Sequence, residues 1–237
     1  MNTWTKTYDS ADAATAAARK HAWIRGLGAL EVPALISQDG NTLTFSHVDG
    51  RYAGPHSLKR VAQALARFHV AAHQCIRTTP ASHDLNLHPF SELRQQRAIA
   101  LLAGPDAPIT WLNEDSLRYW LRYGERLPPA VYKDANVRNF LTTTSSVVAV
   151  DFDALTLAPF GYDLAKLVVS AAMTYGPLPI MEIEAVLAEY NQVVRGVGLP
   201  ACTPSEFDAW SEINHVLTSP YLGKHGYNYA WRTTAQT

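Results

Sequence analysis

Residues 131–141 read VYKDANVRNFL, and Asp151-Phe152-Asp153 follows a short apolar run, Val147-Val148-Ala149-Val150. The run reads as a strand that delivers its last residue straight into Asp151. Asp134, Asn139 and Asp151 stand at offsets of five and twelve residues. Side chains of that kind are poor core material. Either they are turn residues that cap neighbouring backbone groups, or they hold something charged.

Composition bounds the choice. The chain has 237 residues, 47% of them hydrophobic and 17% charged. That is enough apolar material for one large domain or two small lobes. A net charge of −1 offers no global basic field, which argues against nucleic acid and against an acidic membrane surface. Cys75 and Cys202 lie far apart with no CxxC spacing, so neither a disulfide framework nor a zinc cluster is expected. MNTWTKTYDSADAAT lacks the basic head and apolar stretch of a signal peptide. No apolar run approaches the roughly 20 residues of a membrane span. A soluble, cytoplasmic chain is the expectation.

Outward from the central stretch, TWTKTY (3–8) alternates as a strand does. Asp9 or Ser10 then caps an alanine-rich helix that runs to Leu27, with Gly28 as its stop. Two strands are expected around Gln38-Asp39-Gly40-Asn41, which makes residues 1–50 a small α+β lobe. Residues 50–55 read as a linker, and almost everything after them as helix. Leu58, Val61, Leu65 and Phe68 share one face, with Ser57 as candidate cap. Further helices are expected over Ser91–Leu102, Glu114–Glu125, Gly161–Met173, Met181–Val194 and Ser205–Leu217. The last opens with a capping box, Thr203 to Glu206.

A D-x-x-x-x-N loop followed by an apolar strand ending in D-F is the layout by which kinase-like folds transfer phosphate. YKDANVRNFL, VVAVDFD and YDLAKL together resemble the aminoglycoside phosphotransferase and choline kinase-like family, whose signature is H-G-D-x-x-x-x-N, then I-D-F/W-D/E, then Y-D-L-A. The resemblance implies a two-lobed protein-kinase-like fold of the α+β class. A reduced β-containing N-terminal lobe (1–50) would sit on a mainly helical C-terminal lobe (51–237). It implies Asp134 as catalytic base, Asn139 and Asp151 as ligands of Mg²⁺, Asp153 beside the metal, and Asp163 as the aspartate that supports the catalytic loop. Lys6 stands where the family's phosphate-pairing lysine belongs. The hinge motif is similar to FSHVDG, so backbone groups of His47, Val48 and Gly50 would meet the base of ATP or GTP. ALARFH, ending at His69, resembles the helix after the hinge.

Departures from the pattern are equally specific. Tyr132-Lys133 replaces the family's H-G, and the expected glutamate falls near Lys20 or His21. Within this sequence the first two strands and the glycine-rich turn have no counterpart. Lys133 and Arg138 either supply compensating positive charge near the phosphate, or are a surface lysine and an arginine paired with a carboxylate such as Asp163.

The implied activity is transfer of a γ-phosphate to a hydroxyl of an aminoglycoside-like or other small alcohol. Two alternatives are a kinase acting on peptide Ser or Thr in natural-product biosynthesis and a catalytically silent binding protein. An exposed edge on a short sheet would invite a homodimer. His69 and His73, one helical turn apart with Cys75 nearby, show no third ligand of a metal site. His83 and His88 read as exposed loop residues. The aromatic tail, Tyr221 to Arg232, reads as packing on the helical lobe. Glu182, Glu184, Glu189, Glu206, Asp208 and Glu212 would suit a cationic acceptor, or simply face solvent.

Overall fold

Ser10 separates the first strand from the first helix. Its backbone is extended, at φ −153° and ψ 163°, and its side chain accepts from Ala13 N. In the computed structural model, which describes residues 2–78, 85 and 87–231, β1 (Thr3–Thr7) passes through this cap into α1 (Ala11–Leu27). Gly28, at φ 64°, ends α1 by donating its N–H to Arg25 O. β2 (Leu35–Asp39) and β3 (Thr42–Ser46) form a hairpin, and β1 adds antiparallel to β3 with Lys6 opposite Leu43. Ala14 and Ala17 of α1 pack on Leu43 and Phe45, and Trp4 stacks on the Phe45 ring. This sheet and helix form the smaller of two lobes.

The larger lobe contains β4 (Arg51–Tyr52), α2 (Leu58–Thr78), α3 (Gln95–Leu102), α4 (Glu114–Arg126), β5 (Pro129–Tyr132), β6 (Phe140–Thr142), β7 (Val147–Ala149), β8 (Thr156–Pro159), α5 (Tyr162–Tyr175), α6 (Ile180–Gly196) and α7 (Pro204–Thr218). α5 is buried all round from Tyr162 to Met173, as an apolar helix at the centre of a core must be. α2 lies against α6, and α7 against α5. Gly161 opens α5 at φ 86°, where an added Cβ would lie 2.4 Å from Cys202 Sγ. Thr203 and Glu206 cap α7 reciprocally, as the sequence indicates.

Four local expectations need correction. Residues 50–55 are not a free linker, because Arg51 and Tyr52 pair with Thr142 and Leu141 of β6. Ser57 does not cap α2; it closes a 3₁₀ turn over Pro55–Ser57, exchanging bonds with Gly54. α3 begins at Gln95 rather than Ser91, since residues 90–94 form turns in which the Arg94 guanidinium folds back onto Phe90 O. Beyond β7, the larger lobe also contains β4, β5, β6 and β8. Each spans only two to four residues, too short for periodicity to register.

Other readings resolve simply. His69 Nδ1 lies 2.7 Å from Tyr190 Oη, and His73 Nδ1 lies 2.7 Å from Pro129 O. Among the described residues no group of His, Cys, Asp and Glu could cage a metal by itself. His83 and Arg232 lie outside the described residues, and His88 is exposed beside Glu92. The tail packs on the helical lobe, where Asn228 and Tyr229 both donate to Met173 O. Among the described residues no helix is long and apolar enough to cross a membrane.

Candidate active site

Asp163, in the first turn of α5, is fully buried and reaches back to the loop after β5. Its Oδ2 accepts Lys133 N at 3.1 Å and its Oδ1 accepts Ala135 N at 2.7 Å. Between those two clamped amides stands Asp134, at φ 66°. The Asp134 carbonyl accepts Asn136 N at 2.7 Å and Asn139 Nδ2 at 2.8 Å. That second bond turns Asn139 Oδ1 away from the loop. Pairing of β6 with β7 sets Phe140 opposite Ala149, and Val150 N donates to Asn139 O at 2.9 Å. Asn139 and Asp151 therefore sit on neighbouring strand ends. Asp151 is also left-handed, at φ 62°. Each such non-glycine residue costs about 1–3 kcal/mol and persists only where its surroundings over-determine it.

Lys6 of β1 pairs with both carboxylates of the second segment. Its ammonium lies 2.9 Å from Asp151 Oδ1 and 2.7 Å from Asp153 Oδ2. Burial pulls the Lys6 pKa down, but hydrogen bonds to Asp153 and Asp151 outweigh it and hold the ammonium charged beyond the ordinary lysine range. Tyr8 donates to Asp153 Oδ1 at 3.2 Å, and burial beside that carboxylate pushes its phenol up to about 12. Lys20 of α1, near which the family's glutamate was expected, donates to Asp153 O at 2.7 Å. Burial lowers the Lys20 pKa, against the pull of Asp153. The Asp151 and Asp153 carboxylates and the Asn139 amide oxygen are of the hard-oxygen type that could hold Mg²⁺. Phosphate oxygens and water would have to complete its shell.

The second reading of Lys133 and Arg138, a surface lysine and an arginine paired with Asp163, does not hold. Lys133 is fully buried, its ammonium 3.3 Å from Val150 O and over the rings of Phe140 and Phe152. Burial pushes its pKa down, opposed by Asp163, Asp134 and Asp151. It braces the loop against the strand that carries Asp151. Arg138 does not pair with Asp163; its guanidinium stacks on the Tyr227 ring at 4.7 Å. In the hinge, the His47 N–H is taken by Asn2 O at 3.0 Å. Val48 and Gly50 are half-buried, and an added Cβ on Gly50 would come within 3.2 Å of Thr142 O.

Several contributors were missed from sequence. Tyr132 Oη donates to Asp134 Oδ1 at 3.0 Å, and Lys166 Nζ lies 3.8 Å from the same oxygen. Lys166 stands three residues after Asp163 on α5, so helical spacing alone could have placed it near the loop. Asn136 caps the 3₁₀ turn at Val137–Asn139 and is held by Ser170 and Tyr227. His69 Nε2 lies 3.5 Å from Asp163 Oδ2, close but not aligned as a hydrogen bond. Tyr132, Asn136, Lys166 and Tyr227 border a cavity of about 650 Å³ that Asp134, Asp153 and Lys20 also line.

The profile of the phosphotransferase enzyme family (APH) matches residues 5–200. Among solved structures, a choline/ethanolamine kinase family protein from Mesorhizobium loti is 16% identical, with 92% of this chain and 71% of that one covered at a TM-score of 0.62. A macrolide 2'-phosphotransferase from Brachybacterium faecium is 14% identical, with 95% and 80% covered at 0.60. An aminoglycoside phosphotransferase from Streptomyces rimosus, in complex with ADP and streptomycin, is 16% identical, with 91% and 86% covered at 0.57. These likenesses show the protein-kinase-like fold. No curated protein matches the chain.

Proposed function

The chain belongs to the phosphotransferase enzyme family, and we propose that it transfers the γ-phosphate of ATP or GTP to a hydroxyl of a small molecule, with Mg²⁺. One observation carries this reading: the Asp134 carboxylate is 36% exposed at the cavity while the backbone amides on either side of it are fixed by the buried Asp163. A general base must be accessible and yet rigidly placed, because positioning supplies most of the catalysis in phosphoryl transfer. The acceptor oxygen attacks the γ-phosphorus, its proton passes to Asp134, and the bond to the nucleoside diphosphate breaks. Tyr132 and Lys166 orient the carboxylate from one side, leaving its other oxygen for the hydroxyl.

Asn139 Oδ1 and the Asp151 carboxylate would hold the metal, with Asp153 beside them and Lys6 matching the phosphate charge. When bound, Mg²⁺ neutralises phosphate oxygens and so favours attack. Lys6 occupies the pair of carboxylates that such a cation would share, which supports the assignment. Backbone groups of Val48 to Gly50 would meet the base. The test is ADP release with Mg²⁺ and ATP over a panel of alcohols. Asp134→Asn is expected to lower kcat by about 10²–10⁴-fold. A variant as fast as wild type would remove Asp134 as the base.

A further inference from the structure

Resting on the transfer reaction just proposed, we infer that the acceptor is an alcohol bearing an anionic group, a phosphate or carboxylate received by Arg94, Arg97 and Lys166. The cavity beside Asp134 is lined by five lysine and arginine side chains against two aspartates. One of those aspartates, Asp153, is already shared with Lys6. A cavity so charged repels a polyamine and attracts an anion.

Arg94 argues this most strongly. It is 5% exposed and packed among the rings of Phe90, Tyr132 and Tyr162. Its donors reach Phe90 O at 2.7 Å and Thr156 Oγ1 at 2.9 Å, both neutral acceptors. Among the described residues no carboxylate pairs with it. A buried guanidinium without a counter-charge is costly, and its planar five-donor fork matches carboxylate and phosphate oxygens two at a time. Lys166 is also buried, its bond to Thr218 Oγ1 at 2.9 Å shorter than its 3.8 Å approach to Asp134. Arg97 follows Arg94 by three residues, so it projects from the same side, and it lies exposed with Nη2 on Tyr221 Oη at 3.0 Å.

The location of these cations decides what they are for. Lys6 and Lys20 attend Asp151 and Asp153, where the donor triphosphate belongs. Arg94, Arg97 and Lys166 come instead from the turn before α3, α3 itself and α5, on the helical side of Asp134 where the acceptor must lie. The acidic residues that would have suited a cationic acceptor are elsewhere. Glu189 holds Gln63, Glu206 caps α7 and accepts Tyr123, and Asp208 accepts Trp111. None of the six lines the cavity.

Two matched series test the inference: glucose, glucosamine, glucuronate and glucose 6-phosphate, then glycerol, serinol, glycerate and glycerol 3-phosphate. Calorimetric binding to the nucleotide-free protein and ADP release with Mg²⁺ and ATP are both read. An anionic member of a series is expected to bind about tenfold or more tighter than its neutral counterpart, about 1.4 kcal/mol. Phosphate ahead of carboxylate, or the reverse, tells the two sources apart. Arg97→Glu, on an exposed helical position, is expected to abolish the preference without shifting Tm. Tighter binding of the ammonium members, or no charge preference in either series, overturns the inference. Charge-selective binding with no ADP release from any acceptor would instead sink the transfer reaction and leave the anion site standing. Release with neutral or ammonium acceptors and no anion preference would do the opposite.

Discussion

Asp163 holds the Asp134 loop through two hydrogen bonds, one from the Lys133 amide and one from the Ala135 amide. Asp163→Ala strands the Lys133 and Ala135 amides in the core. An unmet buried donor costs about 1–3 kcal/mol, and a Tm falls by about 2–4 °C for each kcal/mol in a chain of this size. With two such donors the expected loss is about 4–24 °C by calorimetry, and an unchanged Tm would mean that the clamp holds nothing. Lys133 yields a pH prediction. Burial sets its folded pKa below the ordinary 10.5. Between the two values the unfolded chain binds more protons, so stability rises with pH there. Lys133→Met lacks that rise. The Tm of wild type minus that of Lys133→Met is therefore expected to grow as the pH rises toward 10.5, and a flat difference would contradict the coupling. Lys133 was legible as unusual from its place beside Asp134. Its burial was not, because the rings of Phe140 and Phe152 that cover it come from two other segments.

The elements themselves were readable in proportion to their length. α1 and α7 announce themselves by Ser10, Gly28 and the Thr203–Glu206 box, because caps act within one turn of the chain. β5 and β8 pair Val131 with Leu157 across a gap filled by the Asp134 loop, β6 and β7, and no local pattern encodes that partnership. Gly161 marks where β8 gives way to α5, and its requirement is twofold: a left-handed φ of 86° and the approach of Cys202 Sγ. Gly161→Ala strains the backbone and forces α5 off Cys202. We expect a loss of about 2–4 kcal/mol in denaturant unfolding together with lower kcat, since Asp163 rides on the same helix. Full stability in Gly161→Ala would show that the junction yields freely.

At the scale of the whole molecule, the site joins residues that the chain keeps far apart. Lys6 meets Asp151 across 145 positions, and Tyr227 of the tail holds Asn136 across 91. The family pattern located both ends of the first pair, while the second had no signal, because a tyrosine in an aromatic tail looks like any packing residue. By itself the sequence determined the order of helices and, through the family resemblance, picked out Asp134, Asn139, Asp151 and Asp163 as candidates. These depend on short spacings, strand ends and caps, which are properties of neighbouring residues. Only the tertiary structure decided the sign of charge around Asp134. A chain with net charge −1 gathers Arg94, Arg97 and Lys166 on one wall while Glu189, Glu206 and Glu212 turn to other partners. Coulombic fields add over distance in space, and separation along the sequence does not fix that distance.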